Sequence, residues 1–247
     1  MPHSQAILFD LDGTVLDTRE LILVSFRHAT RTVLGRELPE AEMLDMIGIP
    51  LQYQMEKLSP EHADELVAVY REHNAAHHDE MVRVFPGTRE TLEALRAQGI
   101  PLAIVTSKRN ALAARGLACF DLLGFFDPLI GSDDTDKHKP LPDPLLLAAT
   151  RLGAEPERCV YVGDSPYDMQ AACAAGMIAV AAPWGMFARE RLISAGAQYE
   201  AAAITELPAL VARLQEVGKT APYYGCGKCQ VGVPCESQIP EQTCAYQ

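Results

Sequence analysis

Short apolar runs recur along the chain, and each one ends in a polar cluster. Ala6-Ile7-Leu8-Phe9 runs into Asp10, Ala103-Ile104-Val105 into Thr106-Ser107, and Cys159-Val160-Tyr161-Val162 into Gly163-Asp164. Runs this short and this uniformly apolar read as buried parallel strands that finish in loops. Segments with helical spacing lie between and beyond them: Thr88 to Gln98, Asn110 to Ala118, Pro144 to Leu152 and Tyr167 to Ala175. The alternation predicts βαβ units, hence an α/β fold with a parallel sheet and right-handed crossovers. Open sheets of this kind place ligands beyond the carboxyl ends of their strands, which is where the polar clusters fall.

One stretch breaks the alternation. Leu21 to Leu34, Glu40 to Ile47 and Glu61 to Asp79 all carry helical spacing with no strand among them. The chain therefore divides into a core of residues 1–17 and 84–217, a helical insertion over 18–83, and a tail over 218–247. Asp17 and Thr18 read as a helix cap and turn at the start of the insertion. Beyond Gly218 the helical spacing stops, and Gly, Pro and Cys replace aliphatic residues.

At 247 residues, 48% hydrophobic and 22% charged, the chain can bury a substantial core. Its formal charge of -12, without a compact Lys/Arg cluster, disfavours nucleic acid as a partner. The uncharged stretch Ala171 to Ala188 is broken by Gly176, Pro183 and Gly185, which disfavours a membrane span. No secretion signal precedes Asp10, so the expected location is the cytoplasm. In that reducing setting Cys119, Cys159 and Cys173 read as small buried hydrophobes.

The polar clusters together suit phosphoryl transfer. A phosphate ester resists anionic attack, so it demands a fixed nucleophile, a proton source and positive charge around the phosphoryl oxygens. Phe9-Asp10-Leu11-Asp12-Gly13-Thr14 offers two carboxylates one residue apart, and Gly13 permits a tight turn. Asp10 is the candidate nucleophile, and Asp12 the candidate acid and base. Asp164 and Asp168 form a carboxylate pair at another strand end, suited to a hard cation, and beside a phosphate that cation is Mg2+. Thr106 and the backbone near Ser107 can donate hydrogen bonds to phosphate, and Lys139 can place an ammonium near both phosphate and Asp10. Lys108, in the same loop, could lie within reach of phosphate.

These four clusters, in this order, resemble the motifs of the haloacid dehalogenase superfamily over roughly Ala6 to Leu214. Asp10, Asp12, Thr106, Lys139, Asp164 and Asp168 match its motif residues. The resemblance implies a Rossmann-like core with a small helical cap domain inserted after the first strand. It also implies Mg2+ held by Asp10, the Asp12 carbonyl and Asp164, with Asp168 a ligand or a supporting group. Dehalogenation is disfavoured, because the family's phosphatases and mutases carry the second aspartate and its dehalogenases do not use it. Ile47-Gly48-Ile49-Pro50-Leu51 is similar to the cap loop of the phosphoglycolate phosphatase branch. Tyr70-Arg71-Glu72-His73-Asn74 and His77-His78-Asp79-Glu80 are similar to the HPr-associated pyrophosphatases of that branch.

The expected activity is thus hydrolysis of a small phosphorylated metabolite through an aspartyl-phosphate, phosphoglycolate phosphatase-like. The alternatives are an inorganic pyrophosphatase of the same branch, a β-phosphoglucomutase-like mutase, and a non-catalytic regulatory protein with a metal-binding tail. His73 and His77 share a helical face, either to meet a second phosphate on cap closure or as a solvated helix end. In the tail, Cys226, Cys229, Cys235 and Cys244 supply the four thiolates of a possible Zn2+ site, the rival reading being a flexible or redox-active segment.

Overall fold

The computed structural model describes residues 6–217. Its strands are β1 (Ile7–Phe9), β2 (Leu16–Asp17), β3 (Arg83–Val84), β4 (Leu102–Val105), β5 (Leu129–Ile130), β6 (Val160–Gly163), β7 (Ile178–Ala181) and β8 (Tyr199–Glu200). Six of them form one parallel sheet in the order β5-β4-β1-β6-β7-β8. The expected Rossmann-like α/β architecture is what the chain adopts. Central β1 pairs with β4 on one side and β6 on the other, with Phe9 level with both Ile104 and Val162. The residues that follow these strands therefore emerge side by side at one edge of the sheet.

Side-chain alternation along the strands splits the core into two layers. Ile7, Phe9, Leu102, Ile104, Val160 and Val162 face α5 (Thr88–Ala97), α6 (Asn110–Ala118) and α10 (Leu207–Val217). Leu8, Ala103, Val105 and Tyr161 face α7 (Asp143–Leu152) and α8 (Pro166–Ala174). A short α9 (Arg189–Ser194) follows β7.

The cap consists of α1 (Arg19–Leu34), α2 (Glu40–Leu44), α3 (Leu51–Leu58) and α4 (Ala63–Met81). It is set between β2 and β3, which pair antiparallel with Leu16 opposite Val84 and Asp17 opposite Arg83. This two-stranded ribbon carries the chain out of the core and back. Helices α1 and α4 pack together, with Phe26 and Tyr70 in an edge-to-face contact at 5.9 Å.

The sequence reading and the structure differ at several points. Helix α3 was not expected: it spans only two turns, and its Leu51, Met55 and Leu58 spacing is too short a signal to stand out. Thr18 occupies the N-cap position of α1 but makes no side-chain cap bond, and its hydroxyl is buried without a partner. The cap bond comes from Asp17 Oδ1, which accepts from the Arg19 amide at 3.3 Å. Cys159 is buried and Cys173 half-buried, but Cys119 is exposed, because it sits just past the end of α6 and turns outward to Asp79. Among the described residues no helix is long and apolar enough to cross a membrane. The four tail cysteines lie outside the described residues.

Candidate active site

The loop after β1 is folded by its own backbone. Gly13 takes φ +83, and the amides of Val15 and Leu16 both donate to the Leu11 carbonyl, at 3.0 and 2.9 Å. This turn places Asp10 in a buried position, 6% exposed, and leaves Asp12 partly open. Gly13 cannot be replaced without disturbance, since a Cβ there would lie 2.2 Å from Asp164 Oδ2.

Lys139 reaches the same point from the loop before α7. Its Nζ donates to Asp10 Oδ1 at 2.8 Å, Asp168 Oδ1 at 2.7 Å, the Tyr161 hydroxyl at 3.1 Å and the Val105 carbonyl at 3.4 Å. The Tyr161 hydroxyl in turn lies 2.9 Å from the Val105 carbonyl and 3.1 Å from Asp168 Oδ1. Asp168 is fixed from its other side by the start of α8. There Ser165 is the N-cap, Pro166 opens the first turn, and Asp168 closes a capping box. Ser165 donates to Asp168 Oδ2 through its amide at 2.9 Å and its hydroxyl at 2.6 Å. Both carboxylate oxygens of Asp168 are therefore already engaged.

Asp164 is less saturated. It accepts from the Met186 amide at 2.7 Å and the Thr14 hydroxyl at 3.3 Å. Gly185 lets the next loop press against it, since a Cβ at that position would lie 2.3 Å from Asp164 Cβ. Thr106 is buried with its Oγ1 accepting from the Lys108 amide at 3.2 Å, which leaves the hydroxyl hydrogen free to donate. Ser107 points its hydroxyl at the cap, donating to the Gly48 carbonyl at 2.8 Å. The Ile47 to Leu51 loop thus rests directly on the core edge.

The electrostatics show an excess of negative charge. Asp10, Asp164 and Asp168 each place an oxygen within 4.8 Å of the other two, and all three are buried. Among the described residues, the ammonium bonded to this cluster is that of Lys139, on Asp10 and Asp168. Burial pushes the Asp10 carboxyl up to about 7 even with Lys139 pulling it down, and burial holds Asp164 well above the usual carboxylate range. Burial also works against the Lys139 charge, but Asp10 and Asp168 outweigh it and raise its pKa. An all-oxygen donor set short of positive charge fits a hard divalent cation.

The pairing of Lys108 and the role of Tyr161 escaped the sequence reading. Lys108 Nζ lies 2.6 Å from Asp12 Oδ1, a pairing across 96 positions that no local pattern reveals. Tyr161 left a fainter trace, because a tyrosine within a buried apolar strand must find a partner for its hydroxyl. In the cap, His73 and His77 do share a face. They stack at 4.2 Å, with His28 against His73 at 4.4 Å, instead of converging on a cation. His78 is fully buried on another face.

A family model described as haloacid dehalogenase-like hydrolase matches residues 7–182. The chain is 43% identical over 163 residues to the pyrophosphatase PpaX of Halalkalibacterium halodurans, covering 66% of this chain and 76% of that protein. A haloacid dehalogenase-like family hydrolase of Streptococcus pneumoniae superposes with a TM-score of 0.75 at 29% identity, covering 85% of this chain and 99% of its own. A Haemophilus somnus protein described as a predicted phosphoglycolate phosphatase gives 0.74 at 25% identity, with coverage of 85% and 99%.

Proposed function

Because the chain belongs to the haloacid dehalogenase-like hydrolase family, we propose that it is a phosphatase acting on a small phosphorylated substrate, with Asp10 as its nucleophile. The observation that carries this reading is the buried Lys139 ammonium, 2.8 Å from Asp10 and 2.7 Å from Asp168, at the carboxyl edge of β1. It holds Asp10 in one orientation and offers its charge to an incoming phosphoryl group.

In the proposed reaction an Asp10 carboxylate oxygen forms a bond to phosphorus, and the bond to the leaving oxygen breaks. Asp12 gives that oxygen its proton, then takes one from the water that attacks the aspartyl-phosphate. Orthophosphate leaves, and Asp10 is restored. Thr106 and Lys139 donate to the phosphoryl oxygens, and Asp168 orients Lys139. Asp10, Asp164 and the Asp12 carbonyl would hold Mg2+, which supplies positive charge against the phosphoryl oxygens. Asp168, with both oxygens engaged, supports that cluster through Lys139 and Ser165.

For the substrate, inorganic pyrophosphate is the favoured reading. Similarity to the Halalkalibacterium pyrophosphatase supports it, and so does Lys108, whose ammonium beside Asp12 suits a leaving group that departs as an anion. A departing phosphate also needs less help from an acid than an alkoxide does. Phosphoglycolate is the second reading, supported by the Haemophilus neighbour. Phosphate release from the two substrates, measured side by side with Mg2+, tests both. Higher kcat/KM on pyrophosphate is expected; the reverse order selects the second reading, and release from neither refutes the phosphatase assignment.

A further inference from the structure

Away from the carboxylate cluster, a second group of donors lies where the cap meets the core. His78 and Asp79 belong to the last turns of cap helix α4, and Cys119 follows core helix α6. One ligand atom from each lies within 4.8 Å of the other two. His78 Nδ1 is 2.8 Å from Asp79 Oδ1, and Cys119 Sγ is 3.4 Å from the same oxygen. Around a tetrahedral ion with bonds of about 2.0–2.3 Å to N, O and S, neighbouring donors stand roughly 3.3–3.6 Å apart. Both separations from Asp79 Oδ1 are therefore within about half an ångström of those in a coordination polyhedron, and the third pair lies within 4.8 Å.

Two further features fit a ligand role. Arg115 donates to the other carboxylate oxygen, Asp79 Oδ2, at 2.9 Å, which leaves Oδ1 as a single defined donor. Asp79 and Cys119 are both exposed, so water reaches their donors and a fourth position is left to it.

We propose that His78, Asp79 and Cys119 form a binding site for a borderline-soft divalent cation of the zinc class, spanning cap helix α4 and core helix α6. The mixed nitrogen, oxygen and sulfur donors separate this site from the all-oxygen cluster at Asp10. On binding, the Cys119 thiol loses its proton to solvent, and the thiolate takes one position. The imidazole coordinates through Nδ1, and its single hydrogen moves to Nε2. Because the ligands come from both sides of the junction, the bound ion ties the cap to the core.

Site-resolved labelling tests this on the full chain, independently of the cysteines in the tail. Cys119 is exposed and open to iodoacetamide, and its modification is read by peptide mass mapping with and without zinc chloride. Zinc is expected to slow labelling of Cys119 at least about tenfold, since the coordinated thiolate is no longer a free nucleophile. Asp79→Asn, an exposed substitution, and His78→Gln are each expected to abolish that protection. Equal labelling of Cys119 with and without zinc overturns the proposal. Undiminished protection in Asp79→Asn overturns it as well.

Discussion

Replacing Asp10 by Asn should make the metal-free protein more stable at neutral pH while leaving its stability near pH 4 almost unchanged. Asp10 is 6% exposed and has Asp168 and Asp12 raising its pKa beside Lys139. Its carboxyl is pushed from 3.8 to about 7, burial being the largest cause. A carboxyl whose folded pKa is raised binds its proton more tightly in the native state than in the unfolded one. Its contribution to stability is therefore present below about pH 4 and is lost as pH rises through about 7. A shift of about three units at ~1.4 kcal/mol each corresponds to about 4 kcal/mol. That is a large share of the roughly 5–15 kcal/mol by which domains are stable. Asn keeps the shape and an acceptor for Lys139 but does not titrate. Urea unfolding in EDTA, run for both proteins across pH 4 to 8, isolates the effect, since the histidines cancel in the difference. Asp10→Asn should gain at least about 2 kcal/mol over the parent between the two ends, allowing for the charge lost beside Lys139. Parallel pH profiles for the two proteins would refute the picture of Asp10 as a carboxylate short of positive charge.

Two other substitutions probe the surrounding geometry. Gly13→Ala places a Cβ 2.2 Å from Asp164 Oδ2 at φ +83, so a folded protein by circular dichroism should lose about 100-fold or more in kcat. Lys108→Met removes the ammonium 2.6 Å from Asp12, and kcat/KM for pyrophosphate should fall roughly 10- to 100-fold, more than for phosphoglycolate.

Much of this arrangement was legible in the sequence because its carriers are local. β1, β4 and β6 announced themselves as apolar runs, and each delivered its polar residue to the same sheet edge. Helix α6 begins at Asn110 as expected, and α8 opens on Ser165-Pro166 with Asp168 at the capping-box position. Weaker signals failed for physical reasons. β5 and β8 are two residues long, and β7 lies in an Ala-rich stretch where apolar strand and loop look alike. Pairings across the fold were hidden altogether. Ser107 was expected to serve phosphate, and nothing near it in sequence shows that its hydroxyl meets Gly48 of the cap. The same holds for Lys108 with Asp12, and for Cys119, whose outward turn depends on Asp79 of another helix. Sequence patterns report which residues a strand presents at its end, whereas the partners brought there by other elements are set by packing.

The central claim is that Asp10 itself receives the phosphoryl group. Acid quenching during turnover of radiolabelled pyrophosphate with Mg2+, followed by peptide mapping, tests this directly. The label should appear as an alkali-labile acyl phosphate on the peptide containing Asp10, and both label and turnover should vanish in Asp10→Asn. Phosphate release by Asp10→Asn at a rate near that of the parent would contradict the account.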